Sequence, residues 1–162
     1  MQMGAYLAEK LGARVLMVDY RVAPAHPFPA ALDDCVTAYR WLLNQGIAPQ
    51  NTVVAGDSAG GNLTLTLLMQ SRDSGNPLPA AAACLSPVTD LTKGHACPGY
   101  KDPLLPSKAM RFYSRSYVGS SDPHDPLISP VFGNLRGLPR GAGSAGDPGG
   151  HTDNLRGLSP AG

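Results

Sequence analysis

One stretch constrains this chain more than any other: Val53-Val54-Ala55-Gly56-Asp57-Ser58-Ala59-Gly60-Gly61-Asn62, where Gly-x-Ser-x-Gly joins two segments of different periodicity. Upstream, Thr52 to Ala55 is a short apolar run of β-compatible residues. Downstream, Leu63, Leu67 and Met69 belong to a helix. A serine at the tip of a sharp strand-to-helix turn has a strained backbone, and glycines two before and two after it admit neighbouring chain without a Cβ clash. Gly56 and Gly60 are expected to meet that need. Such a turn pushes the serine Oγ out above the sheet and aims the amide of Ala59, at the helix start, toward the place where an oxyanion forms. Ser58 is therefore the expected nucleophile and Ala59 the expected oxyanion donor, with Gly56, Asp57, Gly60 and Gly61 shaping the elbow. The competing reading is a glycine-rich turn that packs closely or cradles a phosphate. It lacks the second glycine of a Gly-x-Gly pair, an acidic ribose contact and a P-loop lysine.

The rest of the chain supplies a matching frame. Met3, Leu7 and Leu11 recur at helical spacing before Gly12, and Arg14 to Tyr20 reads as a strand buried on both faces. A second helix is expected from near Pro29, with Asp33 and Asp34 opposing its positive end and Leu32, Cys35, Val36, Tyr39 and Leu43 forming its buried stripe. Ala80 to Leu85 reads as a third buried strand. Strand, helix, strand, helix, strand is the order of a parallel sheet with right-handed crossovers, so the fold class is α/β. Beyond Pro87 the pattern loosens, except for a helix from Ser107 through Tyr117 with Met110, Tyr113 and Tyr117 on one side.

Composition narrows the partners. The formal net charge is +1 and 15% of the 162 residues are charged, which gives no basic field for nucleic acid or an acidic membrane surface and favours a small neutral substrate. No run approaches the roughly 18 apolar residues of a membrane span, and the first residues lack the pattern of a secretory leader. Cys35, Cys84 and Cys97 match neither a disulfide framework nor a zinc site, so reduced thiols, a cytoplasmic location and no metal are expected.

Three groups of residues carry a family resemblance. Asp19-Tyr20-Arg21-Val22-Ala23-Pro24-Ala25-His26, with Pro27 to Ala31 after it, resembles a segment of the hormone-sensitive-lipase-like esterases. Gly56-Asp57-Ser58-Ala59-Gly60-Gly61-Asn62-Leu63 is similar to that family's nucleophile motif. Leu85-Ser86-Pro87, Asp102-Pro103 and Asp125-Pro126-Leu127-Ile128-Ser129-Pro130 look like its later landmarks, so the likeness runs from about Ala5 to Pro139. The resemblance implies a partial α/β-hydrolase fold, a mostly parallel sheet with flanking helices that is incomplete at both ends. It also implies hydrolysis of small carboxylic esters of short or medium acyl chains, without metal or organic cofactor.

The family places a His-Gly-Gly motif before the first helix and a catalytic Asp and His after the point matching Pro139. Neither has a counterpart here, and the catalytic acid and base are unassigned. His26 sits in a structural turn of the family pattern, His95 and His124 in loops of the pocket region, and His151 with Asp153 in a Gly-rich tail; none is expected to be the base. Residues 1–139 are read as partial hydrolase core, including part of the substrate-pocket region after Pro87. Residues 140–162 are read as an irregular Gly/Pro-rich tail. A one-nucleotide shift of the codons for Gly149-Gly150-His151-Thr152 permits Glu-Val-Ile-Leu, similar to the family run before its catalytic Asp, which makes a shifted frame the expected origin of that tail. In the family fold a strand lies between those assigned here to Arg14–Tyr20 and Thr52–Ala55. Its absence leaves strand edges open, so low stability or association of copies through those edges is expected.

Overall fold

Among the described residues, three parallel strands carry the architecture: β1 (Val53–Asp57), β2 (Ala81–Leu85) and β3 (Arg140–Ser144), side by side in that order. The computed structural model of the chain describes residues 2–92 and 107–144. Val53 to Asp57 stand opposite Ala81 to Leu85, which stand opposite Arg140 to Ser144. Parallel neighbours need long crossovers. Helix α3 (Ala59–Asp73) links β1 to β2, and α4 (Ser107–Val118) lies on the path from β2 to β3. Helices α1 (Gln2–Leu11) and α2 (Ala30–Asn44) precede the sheet. The expected α/β class and parallel sheet are what the chain adopts.

Helix α3 is the centre of the core. Its Leu63, Leu65, Leu67, Leu68 and Met69 are all buried, so it is enclosed on most sides rather than along one stripe. Ala31, Leu32, Val36 and Tyr39 of α2 and Ala82 of β2 close around it. The leucines each contribute roughly 1.5–3 kcal/mol by leaving water. Helix interiors this deep expose no side-chain hydroxyl to solvent, and Thr64 and Thr66 donate instead to the carbonyls of Gly60 and Asn62, one turn back, at 2.9 and 3.1 Å.

Several expectations need correction. Arg14 to Tyr20 forms no strand, and Val15, Leu16 and Met17 are exposed. A strand is held by its neighbour's backbone, and no described strand lies beside this run, so its apolar β-type sequence goes unused. Arg21 fastens the segment to α2 instead, through Nε and Nη2 and its own amide, all donating to the Asp34 carboxylate at 2.8–3.2 Å. Those side-chain bonds hold the Asp34 carboxyl down at about 2, so Asp34 is a surface clamp while Asp33 occupies the first turn of α2. Strand β2 alternates, with Ala82 and Cys84 buried and Leu85 exposed, and β1 exposes Val53, Ala55 and Asp57; helix α3 covers one sheet face only.

On α4 the buried positions are Ser114 and Val118, with Tyr113 turned out, because the helix docks through its last turn: the Tyr117 carbonyl accepts from Phe28 N–H at 2.8 Å and the two rings meet edge to face. Residues 140–144, expected to open an irregular tail, are β3. Glycine-rich chain lacks side chains to anchor it, yet β2's free edge offers backbone partners that need none. Arg72 steadies the approach, donating to the carbonyls of Asn134 and Arg136 at 2.6 and 2.7 Å. Cys97, His95, Asp102-Pro103, His151 and Asp153 lie outside the described residues.

Candidate functional site

Strand β1 ends at Asp57 and α3 begins at Ala59, so Ser58 alone makes the turn. Its φ of 53° and ψ of −112° fall where a residue with a side chain is held only by its surroundings. Three hydrogen bonds hold it. Ser58 N–H donates to Leu85 O at 2.8 Å, and the Ser58 carbonyl accepts from Asn62 N–H at 3.1 Å and Val88 N–H at 3.2 Å. Strand β2 thus grips one side of the serine, and the helix and the loop after β2 grip the other. Ser58 is half-buried, with Asp57 and Ala59 exposed on either side. Ala59 N–H belongs to the first turn of α3, whose donors find no acceptor within the helix, and that turn contains no carboxylate to offset its positive end.

The elbow glycines divide into two kinds. A Cβ on Gly56 would overlap the Gly60 carbonyl and stand 2.8 Å from Thr64 Oγ1, so only glycine lets strand and helix pass there. A Cβ on Gly61 would lie 2.9 Å from Pro87 Cβ, which makes Gly61 the point where the helix meets the loop after β2. Gly60, expected to need the same freedom, has open space where its Cβ would go. It is Gly60's carbonyl, not a missing side chain, that makes the close approach.

Asn62 is the residue to which sequence reasoning assigned no role. It is buried, and its Nδ2 donates to Val88 O at 2.7 Å and to Ile128 O at 2.9 Å, while its Oδ1 has no partner among the described residues. One side chain therefore ties the start of α3 to the Leu85-Ser86-Pro87 loop and to the Asp125–Pro130 landmark. The latter segments also grip each other: Ser129 Oγ accepts from Leu91 N–H at 2.9 Å, and Val131 N–H donates to Thr89 O at 3.1 Å. A buried amide one turn after a strained serine was the available signal; its partners, 26 and 66 residues away, were not readable.

Among the described residues, the Ser58 hydroxyl forms no hydrogen bond to a base. His26 is exposed and its ring forms no hydrogen bond there; His124 is exposed, with Nδ1 3.0 Å from Asp122 Oδ1 and its ring against Phe132. The described residues contain no group of three or more His, Cys, Asp or Glu able to hold a metal ion. Burial pushes the thiols of Cys35 and Cys84, both unpaired, up to about 11, so neither competes as a nucleophile.

The chain that forms this elbow, one serine between a parallel strand and a buried helix, is similar to known proteins. A sequence model described as "alpha/beta hydrolase fold" matches residues 2–142. An acetyl-hydrolase of Streptomyces hygroscopicus is 45% identical over 136 residues, covering 82% of this chain and 46% of that protein. An esterase of Acinetobacter venetianus is 36% identical over 137 residues, with 82% and 45% covered. Among solved structures, an esterase/lipase from an uncultured bacterium superposes with a TM-score of 0.80 at 41% identity over 87% of this chain and 48% of that one. An esterase of the bacterial hormone-sensitive lipase family gives 0.76 at 40% identity, with 85% and 48% covered. The chain spans about half the length of the relatives it matches. It belongs to the α/β-hydrolase fold family, among the hormone-sensitive-lipase-like esterases, and represents part of that fold.

Proposed function

We propose that this chain bears the nucleophile of a carboxylic ester hydrolase acting on small esters of short or medium acyl chains. The observation that carries the reading is the strained backbone of Ser58, one residue before an uncompensated helix N-terminus. Ser58 Oγ attacks the ester carbonyl carbon, its proton passes to a base, and the C–O bond to the alcohol breaks to leave an acyl-serine. Ala59 N–H donates to the carbonyl oxygen as it becomes an oxyanion, a contribution of about 10²–10³ in rate for one such donor. Asp57, Gly56, Gly60 and Gly61 shape the elbow that presents the hydroxyl. Serine, base and amides suffice for this chemistry without metal or organic cofactor, and nucleic acid has no part in it. Unpaired thiols at buried Cys84 and half-buried Cys35 support the cytoplasm as its location.

With no base bonded to Ser58 among the described residues, the chain is expected to acylate but not to turn over efficiently. Losing a triad member leaves only about 10³–10⁴ over water in a comparable enzyme. Incubation with p-nitrophenyl acetate should give slow, stoichiometric acetylation of Ser58 by mass spectrometry, faster with added imidazole as external base and absent in Ser58→Ala. Ser86, exposed and also at positive φ but not followed by a helix, is the internal control. Equal acetylation of Ser58 and Ser86 overturns the reading, and brisk turnover lost in Ser58→Ala shows that a base is present in the chain after all.

We also propose that copies of the chain associate through β1. Its outer edge has no strand partner among the described residues, and Val53 on it is 62% exposed. An open parallel edge with an apolar residue is a template for pairing. Size-exclusion chromatography with light scattering should show a dimer, returned to monomer by Val53→Lys; a monomer at all concentrations rules the pairing out.

A further inference from the structure

The net charge of +1 conceals a segregation of charge on α4. This helix carries Lys108, Arg111 and Arg115 and no Asp or Glu. At 100° per residue these three cations fall within an arc of about 60°, with Phe112 about 40° beyond one border and the buried Ser114 and Val118 along the other. All three are exposed, and among the described residues none forms an ion pair. Between them lies a groove of about 420 Å³ lined by Lys108, Arg111, Phe112, Arg115 and Ser116. Phe112 is 60% exposed at its wall and meets the 57% exposed ring of Tyr113 edge to face, centroids 5.9 Å apart.

We infer that this cationic face of α4 docks on an anionic lipid surface. Three cations spread over about 10 Å of helix, with no ion pair among the described residues, match a plane of negative charges better than a single ion, which would need a cage. A soluble acidic partner answers the cations but gives the exposed Phe112 ring nothing. Lipid headgroups answer both: phosphates for Lys108, Arg111 and Arg115, and the headgroup–acyl boundary for Phe112. The helix is anchored along one side by Val118, Ser114 and the Phe28–Tyr117 contact, and the adjoining cationic face stays exposed without unfolding. The proposal is independent of ester hydrolysis, though a lipid surface is also where poorly soluble esters collect.

The test is co-sedimentation of the whole chain with vesicles of phosphatidylcholine alone and with vesicles containing phosphatidylglycerol. Binding is expected to the anionic vesicles only and to fade as salt shortens the Debye length below about 10 Å. Each cation near such a surface contributes about fivefold to partitioning, so Lys108→Glu, Arg111→Glu and Arg115→Glu together should reduce it by about a hundredfold or more. Arg111→Lys with Arg115→Lys should retain it, and Phe112→Ser should weaken it while keeping the salt dependence. Circular dichroism identical to the parent's qualifies each variant. Equal binding to both vesicle types, no binding at low salt, full retention by the triple Glu variant, or displacement by millimolar inorganic phosphate at constant ionic strength overturns the inference.

Discussion

Gly56→Ala should lower the melting temperature by roughly 10 °C, whereas Gly60→Ala should leave it unchanged or slightly raised. The two glycines look equivalent in Gly-x-Ser-x-Gly, and the structure separates them. A methyl on Gly56 meets the backbone carbonyl of Gly60 and Thr64 Oγ1, and neither can withdraw, because that carbonyl accepts the Thr64 hydroxyl at 2.9 Å. Overpacking against backbone costs about 3 kcal/mol, at the top of the usual range. For a domain of this size each kcal/mol moves the midpoint by about 2–4 °C. At Gly60 the new methyl enters open space within a helix, where alanine is favoured over glycine by about 0.5–1 kcal/mol. Thermal melts of both variants decide the matter. Ser58 acetylation adds a second readout, since the Gly56 variant has to spread strand from helix and should lose it. Equal destabilisation by both substitutions shows that the elbow does not pack as described.

Asn62→Asp should destabilise the chain more than Asn62→Ala does, although aspartate differs from asparagine only in replacing the amide nitrogen by oxygen. Both substitutions remove the donors to Val88 O and Ile128 O, and each buried carbonyl left unpaired costs about 1–3 kcal/mol. Aspartate in addition turns a carboxylate toward those two carbonyls inside the core, with no cation beside it. Its ionised form is disfavoured there, so the folded-state pKa rises above the unfolded one and stability falls as pH increases past the ordinary carboxylate range of about 4. The alanine variant should show no such slope. Urea titrations near pH 4 and pH 7 read both effects. An aspartate variant as stable as its parent at pH 7 means that Asn62 does not donate these bonds.

Local physics made the elbow legible. Thr52 to Ala55 runs into Gly56, the helical pattern begins soon after, and a lone serine between them has few alternatives, so Ser58 makes the turn and Ala59 opens the helix. The span of α2 followed in the same way from Pro29 and the Leu32-Val36-Tyr39 stripe. Where pairing decides, residue type misled. Arg14 to Tyr20 has the composition of a buried strand and is none, while Arg140 to Ser144, nearly devoid of apolar side chains, became β3.

The sequence by itself determined the class of fold, the family and the identity of the strained serine, because these depend on periodicity and on backbone conformations that only a few residue types permit. Tertiary structure decided which runs entered the sheet, which of two glycines was indispensable and what Asn62 holds. Those outcomes rest on backbone groups and side chains meeting across tens of residues, and a backbone amide carries no mark of the carbonyl it will find.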